Sequence, residues 1–299
     1  MDSIRTIGIV GAGTMGHGIA QVAAQSGYQV ILVDVVPAAL ERGRTQIGKG
    51  LERLVAKGKL AAEDRDQALG RLTTGGDLAA LAGADLVVEA VVEREDVKRT
   101  VLSELDRVCP PQTILATNTS SISITRLAAS TSRPEKVIGM HFMNPVPVMQ
   151  LVEVIRGLAT SQETWEAVEA ASRKMGKTPV EVHDAPGFVS NRVLMLTINE
   201  AIFLVQDQVA DVHDIDQIFT SCFGHRMGPL ATADLIGLDT ILYSIEVLYE
   251  SYNDSKYRPC PLLKRMVDAG LHGRKSGQGF YAYNSTESTP KPILQEVMK

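Results

Sequence analysis

Short apolar runs at 7–10, 30–33, 86–88, 113–116 and 137–140 punctuate the first half of the chain, rich in Val, Ile and Leu and without polar alternation. Strands of this texture are buried on both faces, the condition met by a parallel sheet covered with helices. Helical patterns lie between them, so the alternation predicts a doubly wound α/β unit. Two later runs, at 151–155 and 179–182, read as added edge strands. Between these two, Trp165, Val168, Ser172 and Met175 recur at helical spacing, and Gly176 supplies a C-terminal stop.

Past His183-Asp184-Ala185-Pro186-Gly187 the texture changes. Segments 191–209, 215–223, 235–252 and 262–269 are helical in length and pattern, and strand signals nearly vanish. The expected organisation is therefore a Rossmann-type doubly wound sheet over 1–184 followed by an all-α domain over 185–299. The helix from Asn191 carries Val193, Leu194, Leu196, Ile198, Ile202 and Val205, more apolar surface than one small core can face. A helix that is hydrophobic nearly all round is buried from several sides, which points to a second copy of the chain, a homodimer.

Composition narrows the class. At 299 residues the chain has room for two domains, and 30 basic against 35 acidic side chains leave a net charge of -5, which argues against a nucleic-acid-binding surface. No apolar run approaches the ~20 residues of a membrane span, and no leader pattern precedes the first strand. Cys109, Cys222 and Cys260 are far apart and odd in number, so neither a disulfide framework nor a zinc site is expected, and a reducing cytoplasm fits best. The six histidines show no metal-ligand spacing.

Candidate chemistry begins at Gly11-Ala12-Gly13-Thr14-Met15-Gly16, which follows the first strand and opens an alanine-rich helix. Gly11, Gly13 and Gly16 permit the tight turn, the close approach of a pyrophosphate to backbone amides, and close helix-to-strand packing. Asp34 ends the second strand eighteen residues past Gly16, where a carboxylate accepts hydrogen bonds from the adenosine ribose. It also repels a 2'-phosphate, and Val35 and Val36 offer no arginine to hold one. NAD is expected rather than NADP.

His141 ends the strand at 137–140, and Glu153 lies twelve residues on, within an alternating run. The intervening Asn144-Pro145-Val146-Pro147 forces a turn, so adjoining strands can bring imidazole and carboxylate together. That pair reads either as a structural ion pair or as an acid/base device in which the carboxylate fixes the tautomer and raises basicity. Asn118-Thr119-Ser120-Ser121 follows the strand at 113–116, at the carboxyl end where open α/β sheets bind ligands. Its hydroxyls suit a reacting oxygen, and equally the N-cap of a helix from Ile122. Asn191 opens the second domain and is itself a good cap residue.

The segment 37–59 reads as one helix with Leu40, Ile47, Leu51 and Leu54 on one face and Arg42, Lys49, Arg53 and Lys57 opposite. Such a basic stripe is either a solvated face or a phosphate-binding surface. Gly273-Arg274-Lys275-Ser276-Gly277 combines flexible backbone with two cations, suiting an exposed turn or an anion-contacting loop.

Taken together these residues resemble the short-form L-3-hydroxyacyl-CoA dehydrogenase family, including the bacterial 3-hydroxybutyryl-CoA dehydrogenases. Matching stretches run nearly the whole chain in order: 7–20, 87–93, 118–121, 141–149, 151–154, 186–192, 227–229 and 277–281. The resemblance implies an NAD-dependent oxidoreductase acting on short-chain 3-hydroxyacyl-CoA, with His141 as general base, Glu153 as its partner, and Ser120 and Asn191 hydrogen-bonding substrate oxygens. It further implies that Glu93, Lys98, Asn144 and Lys275, with Ser120, are cofactor-side contacts, and that Lys57, with Arg53 one turn away, contacts coenzyme A. It implies no metal. The length matches the free-standing dehydrogenase rather than the fused enzymes that also carry a hydratase. Two other readings share parts of this pattern: a sugar-acid dehydrogenase of the L-gulonate type, which has no need of the basic stripe, and a catalytically silent, crystallin-like NAD-binding protein.

Overall fold

The computed structural model describes residues 4–283 and the backbone of 291–292. The outermost residues of both expected domains lie outside the described residues. Two compact units divide between Ala185 and Pro186.

In the first unit the elements are β1 (Thr6–Val10), α1 (Thr14–Gln25), β2 (Gln29–Val33), α2 (Pro37–Ala56), α3 (Ala62–Gly70), β3 (Leu72–Gly75), β4 (Leu86–Glu89), α4 (Glu95–Val108), β5 (Ile114–Thr117), α5 (Ile124–Ala128), β6 (Val137–Phe142), β7 (Leu151–Arg156), α6 (Gln162–Lys174) and β8 (Thr178–His183). All eight strands form one sheet in the order β3-β2-β1-β4-β5-β6-β7-β8. Strands β1 to β6 run parallel, so the order reverses direction beside β1, the switch point at which doubly wound sheets bind ligands. Strand β7 then pairs antiparallel with β6, and β8 parallel with β7.

Burial explains the apolar runs. Ile7, Ile9, Val30, Leu32, Leu86, Val88 and Leu115 are fully buried, because helices cover both faces of the sheet. Helix α1 lies close to the strands because its inward residues are small: Gly16, Ala20, Ala23 and Ala24 are all buried. Helix α2 starts with Pro37 in its first turn, where a missing N–H costs nothing, and buries Gly43, Ile47 and Leu51.

The second unit contains α7 (Ser190–Gln206), α8 (Val212–Cys222), α9 (Pro229–Ile236), α10 (Leu238–Tyr252), α11 (Pro261–Asp268) and a two-residue pairing of β9 (Tyr281–Ala282) with β10 (Lys291–Pro292). Ile198, Ile202, Leu230, Ile241, Leu263 and Phe280 form its core. The carboxylate of Asp234 is fully buried and accepts hydrogen bonds from the amides of Phe280 and Tyr281 and the hydroxyl of Tyr283, tying the segment after α11 to α9. Burial raises its pKa from the ordinary carboxylate value, against the pull of those donors.

Three sequence expectations need correction, and two elements were not foreseen. The helix expected over 235–252 is two helices, because Gly237, at φ +108°, breaks the chain in a conformation only glycine adopts easily. Of the two runs expected at the sheet edge, only β8 is an edge, since β7 lies between β6 and β8. Helix α3 and strand β3 were not legible as elements. The helix after the Ser120 segment begins at Ile124 rather than Ile122, with Ser123 as its cap.

Candidate active site

The glycine-rich turn leaves β1 and enters α1 at the switch point. Gly11 sits at φ +99°, and a Cβ there would lie 2.6 Å from the Ala90 carbonyl oxygen. A Cβ on Gly16 would lie 1.7 Å from the Gly11 carbonyl oxygen, so neither position tolerates a side chain. Gly13 differs: nothing lies within 4 Å of where its Cβ would be. As N-cap of α1 it supplies no side-chain acceptor, leaving the first amides of a 12-residue helix for a ligand.

Beside this turn opens a cavity of about 930 Å³, lined among others by Gly11, Gly13, Asp34, Val36, Arg42 and Val91. Asp34 Oδ2 accepts from the Ala12 amide at 2.8 Å and Oδ1 from the Val36 amide at 2.9 Å, which fixes the carboxylate at the carboxyl end of β2. Open space at Gly13, uncapped helix amides and an anchored acid on one cavity wall fit a dinucleotide with an unphosphorylated ribose. Arg42 was legible only as part of the exposed stripe on α2; the fold turns it onto this cavity.

A second cluster connects β4, α4 and the loop after β5. Lys98, only 1% exposed, donates to Glu89 Oε1 at 2.8 Å and lies 3.4 Å from Glu93 Oε2. Glu89, fully buried, also accepts from the Val91 amide and, through Oε2, from the Thr117 hydroxyl at 2.6 Å. Glu93 Oε1 accepts from the Thr119 hydroxyl at 2.6 Å and the Ser120 amide at 2.8 Å. One buried ammonium thus orders two carboxylates, and the second sets the backbone carrying Ser120. Glu89 and Thr119 went unassigned in the sequence. A carboxylate ending an otherwise apolar strand at 86–88 was the available signal.

The third cluster is the imidazole and carboxylate pair. In the β6·β7 register His141 stands directly opposite Glu153. Cross-strand partners share a face of the sheet, and here His141 Nδ1 lies 2.8 Å from Glu153 Oε2, both residues buried. Asn118 Oδ1 accepts from the Phe142 amide at 2.9 Å, tying the Ser120 loop to the residue after His141.

Asn144 lies in the exposed turn between β6 and β7. Arg53 is in the last turn of α2, and Lys57 is its C-cap; both are exposed. In the second unit, Asn191 lies in the first turn of α7, and Lys275 makes an ion pair with Asp239 at the start of α10. The first unit therefore assembles three of the expected groups: Gly11, Gly13, Gly16 and Asp34; Glu93, Lys98 and Ser120; His141 and Glu153. Among the described residues there is no cluster of three metal-ligating side chains, and no helix is long and apolar enough to cross a membrane.

A doubly wound unit with an open glycine turn and an acid just past β2 defines a dinucleotide-binding protein. Residues 6–185 match the model for the NAD-binding domain of 3-hydroxyacyl-CoA dehydrogenase, and 187–283 match that for its C-terminal domain. The chain belongs to the 3-hydroxyacyl-CoA dehydrogenase family and is an NAD-dependent enzyme of that class. It is 53% identical over 285 residues to a probable 3-hydroxybutyryl-CoA dehydrogenase of Bacillus subtilis, covering 95% of this chain and 99% of that one. Identity to the 3-hydroxybutyryl-CoA dehydrogenase of Bradyrhizobium diazoefficiens is 48%, over 96% of this chain and 98% of the relative. The crystal structure of (S)-3-hydroxybutyryl-CoA dehydrogenase from Ralstonia eutropha superposes with a TM-score of 0.92 at 49% identity, covering 95% of this chain and all of that one.

The anchored carboxylate gives a direct test of cofactor choice. Asp34→Ser combined with Val35→Arg removes a negative charge and adds a phosphate partner, so the ratio of kcat/KM for NADH over NADPH should fall by about tenfold or more. An unchanged ratio would place the ribose elsewhere.

Proposed function

We propose that the enzyme interconverts (S)-3-hydroxybutyryl-CoA and acetoacetyl-CoA with NAD, with His141 and Glu153 as its acid/base pair. The observation that carries this reading is the 2.8 Å contact between His141 Nδ1 and Glu153 Oε2; relatives named for this activity at 48–53% identity support the choice of substrate. A carboxylate can only accept, so the neutral imidazole carries its proton on Nδ1 and keeps the lone pair on Nε2. In oxidation Nε2 takes the proton of the C3 hydroxyl while Glu153 stabilises the imidazolium; in reduction the imidazolium returns it to the carbonyl oxygen. Bound NAD supplies the acceptor for the hydride that leaves C3. Ser120, on the loop held by Glu93, orients the reacting oxygen, and family resemblance assigns Asn191 a second hydrogen bond to substrate. By the same resemblance Asn144, Glu93, Lys98 and Lys275 serve the cofactor. The buried setting of Lys98 suits holding Glu93 better than direct contact.

The stripe on α2 gives the substrate's nucleotide a handle: Arg53 and Lys57 lie one turn apart and exposed. A second copy of the chain would cover exposed apolar side chains of the helical unit, where Val193 on α7 is 61% exposed and Ile218, Phe223 and Leu235 are also exposed.

Three outcomes follow. His141→Ala and Glu153→Gln should lower kcat with acetoacetyl-CoA by ~100- to 10,000-fold while leaving the NADH dissociation constant nearly unchanged; near wild-type turnover in His141→Ala would remove it as the base. Lys57→Ala with Arg53→Ala should raise KM for acetoacetyl-CoA at nearly constant kcat, less so at high salt, and should leave a truncated thioester lacking the nucleotide unaffected. If both substrates respond alike, the stripe is only a solvated face. Light scattering after gel filtration should give twice the chain mass, and Val193→Glu with Phe223→Glu should shift it toward one; a monomeric wild type would refute the dimer.

A further inference from the structure

The turn between β6 and β7 joins the strand of His141 to that of Glu153, and it is gripped by a side chain that has no part in the chemistry above. Within it the amides of Val148 and Met149 both donate to the Pro145 carbonyl, at 2.9 and 3.0 Å. The carbonyls of Val146 and Met149 converge on Lys177 Nζ, the latter at 2.8 Å. Lys177 is 8% exposed, and burial lowers its pKa from the ordinary lysine value, against the carbonyl dipoles that favour its ammonium form.

The backbone sets this lysine in place. Gly176, at φ +70°, turns the chain out of α6; the Lys177 amide donates to the Ser172 carbonyl at 3.0 Å, and the Thr178 amide to the Gln150 carbonyl at 2.8 Å. On the other side of the turn Val146 is buried against α1, where a Cβ added to Gly18 would come within 3.0 Å of the Val146 Cβ. The turn that carries Asn144 is therefore wedged between Lys177, just before β8, and the helix whose first amides face the dinucleotide cavity. A nonpolar side chain at 177 would fill the space yet leave two carbonyls without a donor, and the turn would have to move to find water.

We infer that Lys177 is a positioning residue: its ammonium sets the place of the 143–149 turn between the His141–Glu153 pair and the cofactor-binding helix. This rests on the function proposed above for its catalytic consequence, but its consequence for the cofactor does not depend on the substrate. The test compares wild type, Lys177→Met and Val168→Ala, the last a core truncation in α6 that lowers stability without removing the donor to the turn. NADH dissociation constants are read by fluorescence titration, kcat and KM with acetoacetyl-CoA, and Tm by calorimetry.

Lys177→Met should raise the NADH dissociation constant by about fivefold or more and lower kcat by about tenfold or more, with KM for acetoacetyl-CoA changed little. Val168→Ala should lower Tm with neither change. If Lys177→Met only lowers Tm, as Val168→Ala does, the lysine is a structural anchor and the inference fails. If Lys177→Met does not fold, Gly18→Ala presses on the same turn through Val146 from a helical position that favours alanine; weakened NADH binding there supports the inference, and unchanged binding and kcat overturn it. Should wild type fail to reduce acetoacetyl-CoA, the proposed substrate is wrong, and the NADH constants still decide the role of Lys177.

Discussion

One reversal of strand direction governs the site. Strands β1 to β6 run parallel, and β7 turns back against β6. An antiparallel neighbour puts residues directly opposite one another on the same face, with their Cβ atoms about 5 Å apart. That distance lets an imidazole and a carboxylate meet without either backbone bending. Because the side-chain period of a strand is two, a slip of one residue would turn Glu153 to the other face of the sheet. Register is defended by burial on both sides of the pair: Met140, Phe142, Val152 and Val154 flank it and are buried. The hydrophobic pattern that builds the sheet is thus also what brings His141 and Glu153 together.

The same logic explains why the unit tolerates buried charge beside β4. Withdrawing Lys98, Glu89 and part of Glu93 from water costs several kcal/mol per ion, and their mutual attraction offsets that only with good geometry. Replacing a buried ion pair by hydrophobic residues of similar volume is often neutral for stability. What they could not supply is a carboxylate fixed under the Ser120 loop, accepting from Thr119 and Ser120. The cluster is best understood as stability exchanged for a unique loop conformation. Asp34 is fixed in a similar way on the opposite side of the switch point, where two amides hold its carboxylate on the cavity wall.

How much of this could be read in advance follows from burial. The parallel strands were legible because both faces are covered, which makes their runs continuously apolar. Strand β3 was not, since it lies at the sheet edge with Thr73 and Thr74 exposed, and its sequence reads as a loop. The break at Gly237 is not legible because α9 and α10 both bury apolar residues in one core, so the apolar period runs on across it. The glycine turn, Asp34 and the His141–Glu153 pair carry local signals: a strand before, a helix after, or an alternating run with a turn between. Lys98 and Lys177 carry none. Each is a lysine in an otherwise ordinary segment, and only the fold shows that its ammonium is enclosed. Buried cations are the part of a site that pattern reading is least equipped to find, because the pattern assigns every lysine to water.

In the proposed reading, helix α2 serves two anionic ligands without confusing them. Its 20 residues span about 30 Å at 1.5 Å per residue, with Arg42 near the N-terminal end and Arg53 and Lys57 at the other. Arg42 lines the cavity of the glycine turn. The cations at the far end have a structural use of their own, since the C-terminus of a helix carries partial negative charge that a lysine or arginine offsets. That use needs only one charge in the last turn, and screening by water makes it worth well under ~1 kcal/mol at an exposed site. A stripe that continues back through Lys49 exceeds that need, and its spacing along the axis follows an extended anion better than a helix end. In the proposed reading the two ends of α2 therefore address the two nucleotides of the reaction. They stand farther apart than a Debye length at physiological salt, about 8 Å, so charge changes at one end leave the affinity at the other nearly untouched.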